Sequence, residues 1–185
     1  MKLTLKPAVA LLTVIAAGAF LFLTSCAPKK PGSPVYTKTL ITRTEMAAKL
    51  SYGFFSDKYS SEVYEVVDYD YLMKAYHDAF WERLFRDKIT KWNPRANCTI
   101  FTEKYVDGLQ TDYYNDHFIF GAKANKLAVG EFWYMPNSFN PLVAHSVVIV
   151  FTNKGLIYLE PQSKKAPQIL NLTEAQIASR ILLKI

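Results

Sequence analysis

His145-Ser-Val-Val-Ile-Val-Phe-Thr152, Asn153-Lys154-Gly155 and Leu156-Ile-Tyr-Leu-Glu160 read in succession as a strand, a tight turn and a returning strand. Runs of β-branched and aromatic residues suit a pleated, half-buried surface, and the short polar interruption suits a hairpin. With a two-residue turn at Asn153-Lys154, Thr152 faces Gly155, Val147 faces Glu160 and His145 faces Gln162. Facing residues share one side of a sheet, as do positions two apart on a strand. His145 and Glu160 therefore emerge together as diagonal neighbours, about 5.5–8 Å apart at the backbone. A slip of one residue would send them to opposite faces. Pro161 ends the ladder directly after Glu160.

Upstream, Leu127–Met135 reads as another strand, with Pro136-Asn137-Ser138 as a loop. Asp112 to Ala124 reads as loop-like, with an embedded Phe118-Ile119-Phe120 patch. Asn97 is a suitable helix cap, and Cys98, Phe101, Tyr105 and Leu109 recur on one side of the helix it opens, with Gly108 near its end. Helical spacing of Tyr69, Leu72, Met73, Tyr76, Phe80 and Leu84 predicts a long helix over 69–88, capped by Asp68 and stopped by Trp92-Asn93-Pro94. Residues 36–67 are rich in Tyr, Ser and Thr, with a short helix expected near Arg43–Ser51 from a Thr42 or Thr44 cap. Thr173 caps a C-terminal helix expected over 174–183, with Ile177, Ile181 and Leu182 as its apolar positions. Helices first and an antiparallel sheet afterwards predict an α+β domain over residues 36–185.

The N-terminal 25 residues read differently. Lys2 and Lys6 precede an apolar run from Ala8 to Phe22, and Leu23-Thr24-Ser25-Cys26 closes it. The charge order and short apolar stretch describe a secretory signal. The Leu-x-small-Cys ending resembles the bacterial lipobox, which implies cleavage before Cys26 and a diacylglyceryl thioether on its sulfur. Pro28, Pro31, Gly32 and Pro34, with Lys29-Lys30, make residues 26–35 an extended tether beside a lipid bilayer. Removing Lys2 and Lys6 from a formal net charge of +6 leaves +4 on residues 26–185. No basic stripe interleaved with aromatics accompanies that excess, so nucleic acid is not an expected partner. With Cys26 committed to lipid, Cys98 remains as the other cysteine, which excludes a disulfide framework. His77, His117 and His145 are too widely spaced for a metal motif, and no cofactor is expected.

Cys98 is the residue to explain. A thiol attacks carbonyls as thiolate, which a helix N-terminus and a nearby imidazolium both stabilise; the alternative is a small buried hydrophobe. His145, opening the strongest strand, is the first choice of base and Glu160 its orienter. His117 is the second-choice base, and Gln162, facing His145, the reserve orienter. Asn93 is a candidate oxyanion donor without a clear anchor, and His77 is expected at the surface or partly buried. Phe132, Trp133, Tyr134, Tyr113 and Tyr114 read mostly as core, whereas Trp92 is the aromatic expected nearest the site.

A cysteine at a helix start, a strand opening on His and a carboxylate closing the next strand is similar to the chain order of the transglutaminase-like, papain-fold cysteine hydrolases. Ala144-His145-Ser-Val-Val-Ile-Val resembles their histidine strand. Asn97-Cys98-x-x-Phe101 and Glu160-Pro161-Gln162 resemble, more narrowly, a branch that includes the cysteine-protease domain of a mushroom agglutinin. The resemblance covers about residues 92–185. It implies a Cys-bearing helix packed on a small antiparallel sheet, with Glu as third member of a triad. It also implies acidic residues around the cysteine for calcium, yet Asn97, Thr99 and Ile100 stand there.

Two functions follow as expectations. One is a membrane-tethered thiol hydrolase or acyl transferase working through a thioester on peptide, protein or peptidoglycan stem-peptide substrates. The other is a non-catalytic lipoprotein that uses the same fold to bind an envelope or phage component. A monomer is expected. The resemblance of Cys26-Ala27 to lipoprotein sorting signals implies the periplasmic side of the outer membrane in a Gram-negative host. In a Gram-positive host it implies the outer face of the plasma membrane.

Overall fold

The computed structural model describes residues 37–50, 58, 60–89, 91, 93, 97–119, 125–136 and 143–185, with side chains of the third helix described to residue 116. Cys26, Trp92 and the expected tether lie outside the described residues. Strand β1 (Leu40–Thr42) leads into helix α1 (Arg43–Lys49), which starts on a capping box. Thr42 Oγ1 accepts from the Glu45 amide at 3.2 Å, and Glu45 Oε2 accepts from the Thr42 amide at 2.7 Å. Strand β2 (Val63–Glu65) follows, and then helix α2 over residues 69–86. That helix has three parts: Tyr69–Tyr71, a π-helical insertion at Leu72–Tyr76, and His77–Arg86. The remaining elements are α3 (Cys98–Ile119), β3 (Lys126–Leu127), β4 (Val129–Tyr134), β5 (His145–Thr152), β6 (Gly155–Glu160), β7 (Gln168–Leu170), α4 (Glu174–Ala178) and β8 (Leu182–Lys184).

These strands form a fully antiparallel sheet in the order β7-β6-β5-β4-β8 and a small sheet β1-β2-β3, in which β2 and β3 run parallel. The architecture is therefore α+β, with antiparallel pairing throughout the larger sheet. Strand β5 lies at its centre, and Val147 to Val150 are wholly buried. Val148 and Val150 pack with Leu72, Tyr76, Phe80 and Leu84 of α2 and Phe101, Tyr105 and Leu109 of α3. Val147, Ile149 and Phe151 face the other layer, with Phe132, Tyr158, Leu183 and Met46 of α1. A strand covered on both faces explains its unbroken apolar run.

The hairpin forms in the register expected, from Thr152↔Gly155 through Val148↔Leu159. Gly155 takes φ 119°, a conformation suited to glycine. Asn153 explains why the turn stays in place. Its Oδ1 accepts from the Tyr69 amide at 3.0 Å and its Nδ2 donates to Asp68 at 3.1 Å, while Asp68 caps α2 by accepting from the Tyr71 amide.

Four expectations need correction. Helix α3 does not stop near Gly108: its buried stripe continues from Leu109 to Tyr113 and Asp116, and the expected loop from Asp112 is helical to Ile119. Gly108 marks a close crossing instead, since a Cβ there would come within 2.7 Å of Tyr76 Oη and Arg83 Nη1. The strand expected over Leu127–Met135 breaks at Ala128 into β3 and β4, which join different sheets. Gln110 helps to fix that break, its side-chain amide bonding both the carbonyl and the N–H of Leu127. The C-terminal helix ends at Ala178, and Leu182 lies on β8, whose pairing with β4 buries Leu183 completely. His77, finally, is 1% exposed rather than superficial.

Candidate active site

Cys98 occupies the first turn of α3, where Asn97 Oδ1 accepts from the Ile100 amide at 3.3 Å. Its free thiol is half-buried. One turn on, the wholly buried Thr102 donates through Oγ1 to the carbonyl of Ser146 at 3.1 Å. Ser146 follows His145, so this bond fastens the cysteine helix to the histidine strand beside both side chains. The sequence shows a threonine four residues after the cysteine, but its burial and its partner are legible only in the fold.

The imidazole of His145 lies between two groups. Its Nε2–H donates to Glu160 Oε2 at 2.8 Å, and the ring also hydrogen-bonds the Cys98 thiol, leaving Nδ1 for the sulfur. Glu160 Oε1 in turn accepts from the Gln162 backbone amide at 3.0 Å, so both carboxylate oxygens are held. The Tyr134 ring stands edge-on to the imidazole with centroids 5.8 Å apart, and Tyr134 pairs directly with His145 across the ladder. The phenol of Tyr134 is pushed up by burial and then by the neighbouring Glu160.

Each charge supports the next. The imidazole bonded to the Cys98 thiol holds it below its ordinary pKa against the opposing effect of burial, and backbone bonds from Ser146 and Thr99 add to that. His145 is pushed up to about 9, first by the thiol and then by Glu160, with burial opposing. Thiolate and imidazolium thus stabilise one another, the condition for a nucleophile at neutral pH.

The other sequence candidates fall elsewhere. His117 lies in the last turn of α3, and its side chain is outside the described residues. At a rise of about 1.5 Å per residue it stands roughly 28 Å from Cys98 along the axis, too far to serve as its base. Gln162 contributes its backbone N–H to Glu160. Asn93 donates its amide to the Lys91 carbonyl at 3.2 Å. Calcium finds poor support beside the thiol: Asn97, Thr99 and Ile100 bring no carboxylate, and Asn97 Oδ1 already serves as a cap. Among the described residues, no group of three or more His, Cys, Asp or Glu converges as metal ligands.

His77 was the residue missed. Its Nε2–H donates to the carbonyl of Ser163 at 2.8 Å, and Trp81 Nε1–H donates to that same carbonyl at 3.1 Å. Nothing in the local sequence pairs them with a loop 82 residues or more away.

No protein-family model matches the chain, and no curated protein matches it in sequence. Solved structures do match in fold. One is a PSL1a–E64 complex, at 17% identity and TM-score 0.53, covering 79% of this chain and 50% of the other. A second is Polyporus squamosus lectin bound to a human-type influenza-binding epitope, at 17% identity and TM-score 0.55, covering 79% and 49%. The chain spans about half the length of either. The resemblance to a mushroom agglutinin read from short motifs thus has a counterpart in overall fold, at low identity.

Proposed function

We propose that the chain is a cysteine hydrolase of papain-like, transglutaminase-like architecture, with Cys98 as nucleophile, His145 as base and Glu160 as orienter. The observation that carries this reading is the continuous hydrogen-bonded series from the thiol through the imidazole to a carboxylate held on both oxygens. A complex with E64 stands among the structures of similar fold. In the reaction, the Cys98 thiolate attacks the carbonyl carbon of a peptide or isopeptide bond, and the His145 imidazolium protonates the departing amine. A thioester to Cys98 remains. Water, deprotonated by the now neutral imidazole, releases the acid and restores the thiol; an amine in place of water gives transfer. In the same reading the domain is tethered to a bacterial envelope membrane through acylated Cys26. Peptidoglycan stem peptides and neighbouring proteins are then its nearest substrates.

Labelling the purified protein with E-64 or iodoacetamide across pH tests this, with adducts located by mass spectrometry. Cys98 is expected to react at pH 6–7, and Cys98→Ser to abolish the adduct. A thiol that reacts only above about pH 8 sinks the reading. Lipidation is checked separately, by the mass of the peptide beginning at Cys26 after expression in a bacterial host.

A second reading, a non-catalytic binding module, is favoured by the sugar epitope bound in the lectin structure of similar fold. Binding to a glycan array that survives Cys98→Ala unchanged, with no adduct at Cys98, would select it.

A further inference from the structure

We propose that His77 and Trp81 are positioning residues that brace the Ser163 carbonyl and thereby fix Glu160 against His145. The proposal rests on the reading of Cys98, His145 and Glu160 as a reacting triad. Two N–H donors one turn apart on α2 converge on a single carbonyl oxygen, at 2.8 and 3.1 Å. That carbonyl lies three residues after Glu160. Between them Pro161 restricts the backbone, and the Gln162 amide holds Glu160 Oε1. The other carboxylate oxygen meets His145 at 2.8 Å. A chain of short contacts therefore runs from α2 to the imidazole.

The local structure of α2 suits this task. Its π-helical stretch, Leu72–Tyr76, ends directly before His77. One added residue turns everything after it by about 100° relative to an unbroken α-helix. His77 and Trp81 follow that stretch four residues apart, so their N–H donors leave one side of α2. Packing alone does not call for a histidine at a buried position, because desolvating a polar ring costs free energy that Leu or Phe would not. The Ser163 carbonyl can only accept, so Nε2 carries a proton; burial favours the neutral ring, and Nδ1 meets no partner among the described residues. Trp81 further stacks near Phe101 of the cysteine helix, with centroids 5.8 Å apart. A carboxylate leaving a strand into a loop would otherwise sample several rotamers, and the brace removes that freedom before substrate arrives.

Three variants test the brace: Trp81→Phe keeps an aromatic ring but loses the N–H, His77→Leu removes the other donor, and His77→Gln replaces it with an amide N–H. Two readouts are needed, the NMR titration of the His145 ring and the pH profile of Cys98 alkylation. Trp81→Phe and His77→Leu are expected to lower the His145 titration by about one pH unit and to slow alkylation at pH 6 roughly tenfold. His77→Gln should restore both. If His77→Leu does not fold, Trp81→Phe decides. His145 titrating as in the wild type in folded Trp81→Phe overturns the proposal. A wild-type thiol reactive only above about pH 8 overturns the triad instead, while the His145 shift still reports on the brace.

Discussion

Two histidines in this protein have opposite surroundings. His145 stands at a strand end, a quarter exposed, between a thiol and a carboxylate. His77 is sealed inside α2 against a carbonyl. Partners that favour the charged form push His145 up to about 9, whereas burial pushes His77 down, with the Ser163 bond and Asp78 opposing. The same side chain is thus set up to exchange a proton in one place and to keep one in the other. The difference lies in which effect is largest, direct bonds to thiol and carboxylate at His145 and burial at His77.

The sharpest way to break this contrast is His145→Gln. Without the imidazolium, Cys98 should titrate higher, with burial no longer offset by the ring, and alkylation at pH 6 should fall by at least about tenfold. A pH–rate curve for iodoacetamide measures it, and an unchanged curve would mean that His145 does not activate the thiol.

A smaller effect concerns folding. His145 is raised in the folded state, so the stability it adds is complete below about pH 6.5 and disappears as pH rises through about 9. His77 is lowered, so its contribution is present above about pH 6.5 and is lost as pH falls from there through its lower folded value. Urea melts should therefore decline toward acid, by at most about 1.4 kcal/mol per pH unit, whereas toward alkali the lowered Cys98 thiol offsets the loss at His145. His77→Gln should flatten the acid side, and His145→Gln should leave that side as it is in the wild type. Both variants flattening the acid limb would erase the distinction.

The smallest effect is expected from Thr102→Val, which is nearly isosteric and unpairs the Ser146 carbonyl. A loss of about 1 kcal/mol in urea melts is expected. His145 should keep its titration, because Thr102 acts on the seating of α3 and not on the carboxylate side.

Local sequence carried the hairpin and the site's nearest contacts well. The Asn153-Lys154 turn set the register, and with it the meeting of His145 and Glu160. Asp68, Thr42 and Thr173 each cap the helix they were expected to open. What stayed hidden depended on distant partners. Gly108 looked like a helix end because the approach of Tyr76 and Arg83 cannot be seen from α3 alone. Leu182 fits a helical stripe equally well until the edge of β4 offers it a ladder. His77 seemed superficial because the carbonyl that takes its N–H belongs to Ser163, 86 residues further along the chain. The papain-like assignment itself came from motif order and remains a proposal about this fold.

The central strand has a consequence for how the site would wear out. Strand β5 is bonded along both edges and covered on both faces, so it belongs to the portion of the molecule whose amide hydrogens exchange last. His145 rides on that slow-opening portion, while Cys98 sits on the first turn of a helix, where ends fray. Mild heat or denaturant would therefore part nucleophile from base by sub-global opening while the sheet persists, and the chemistry would fade before the fold does.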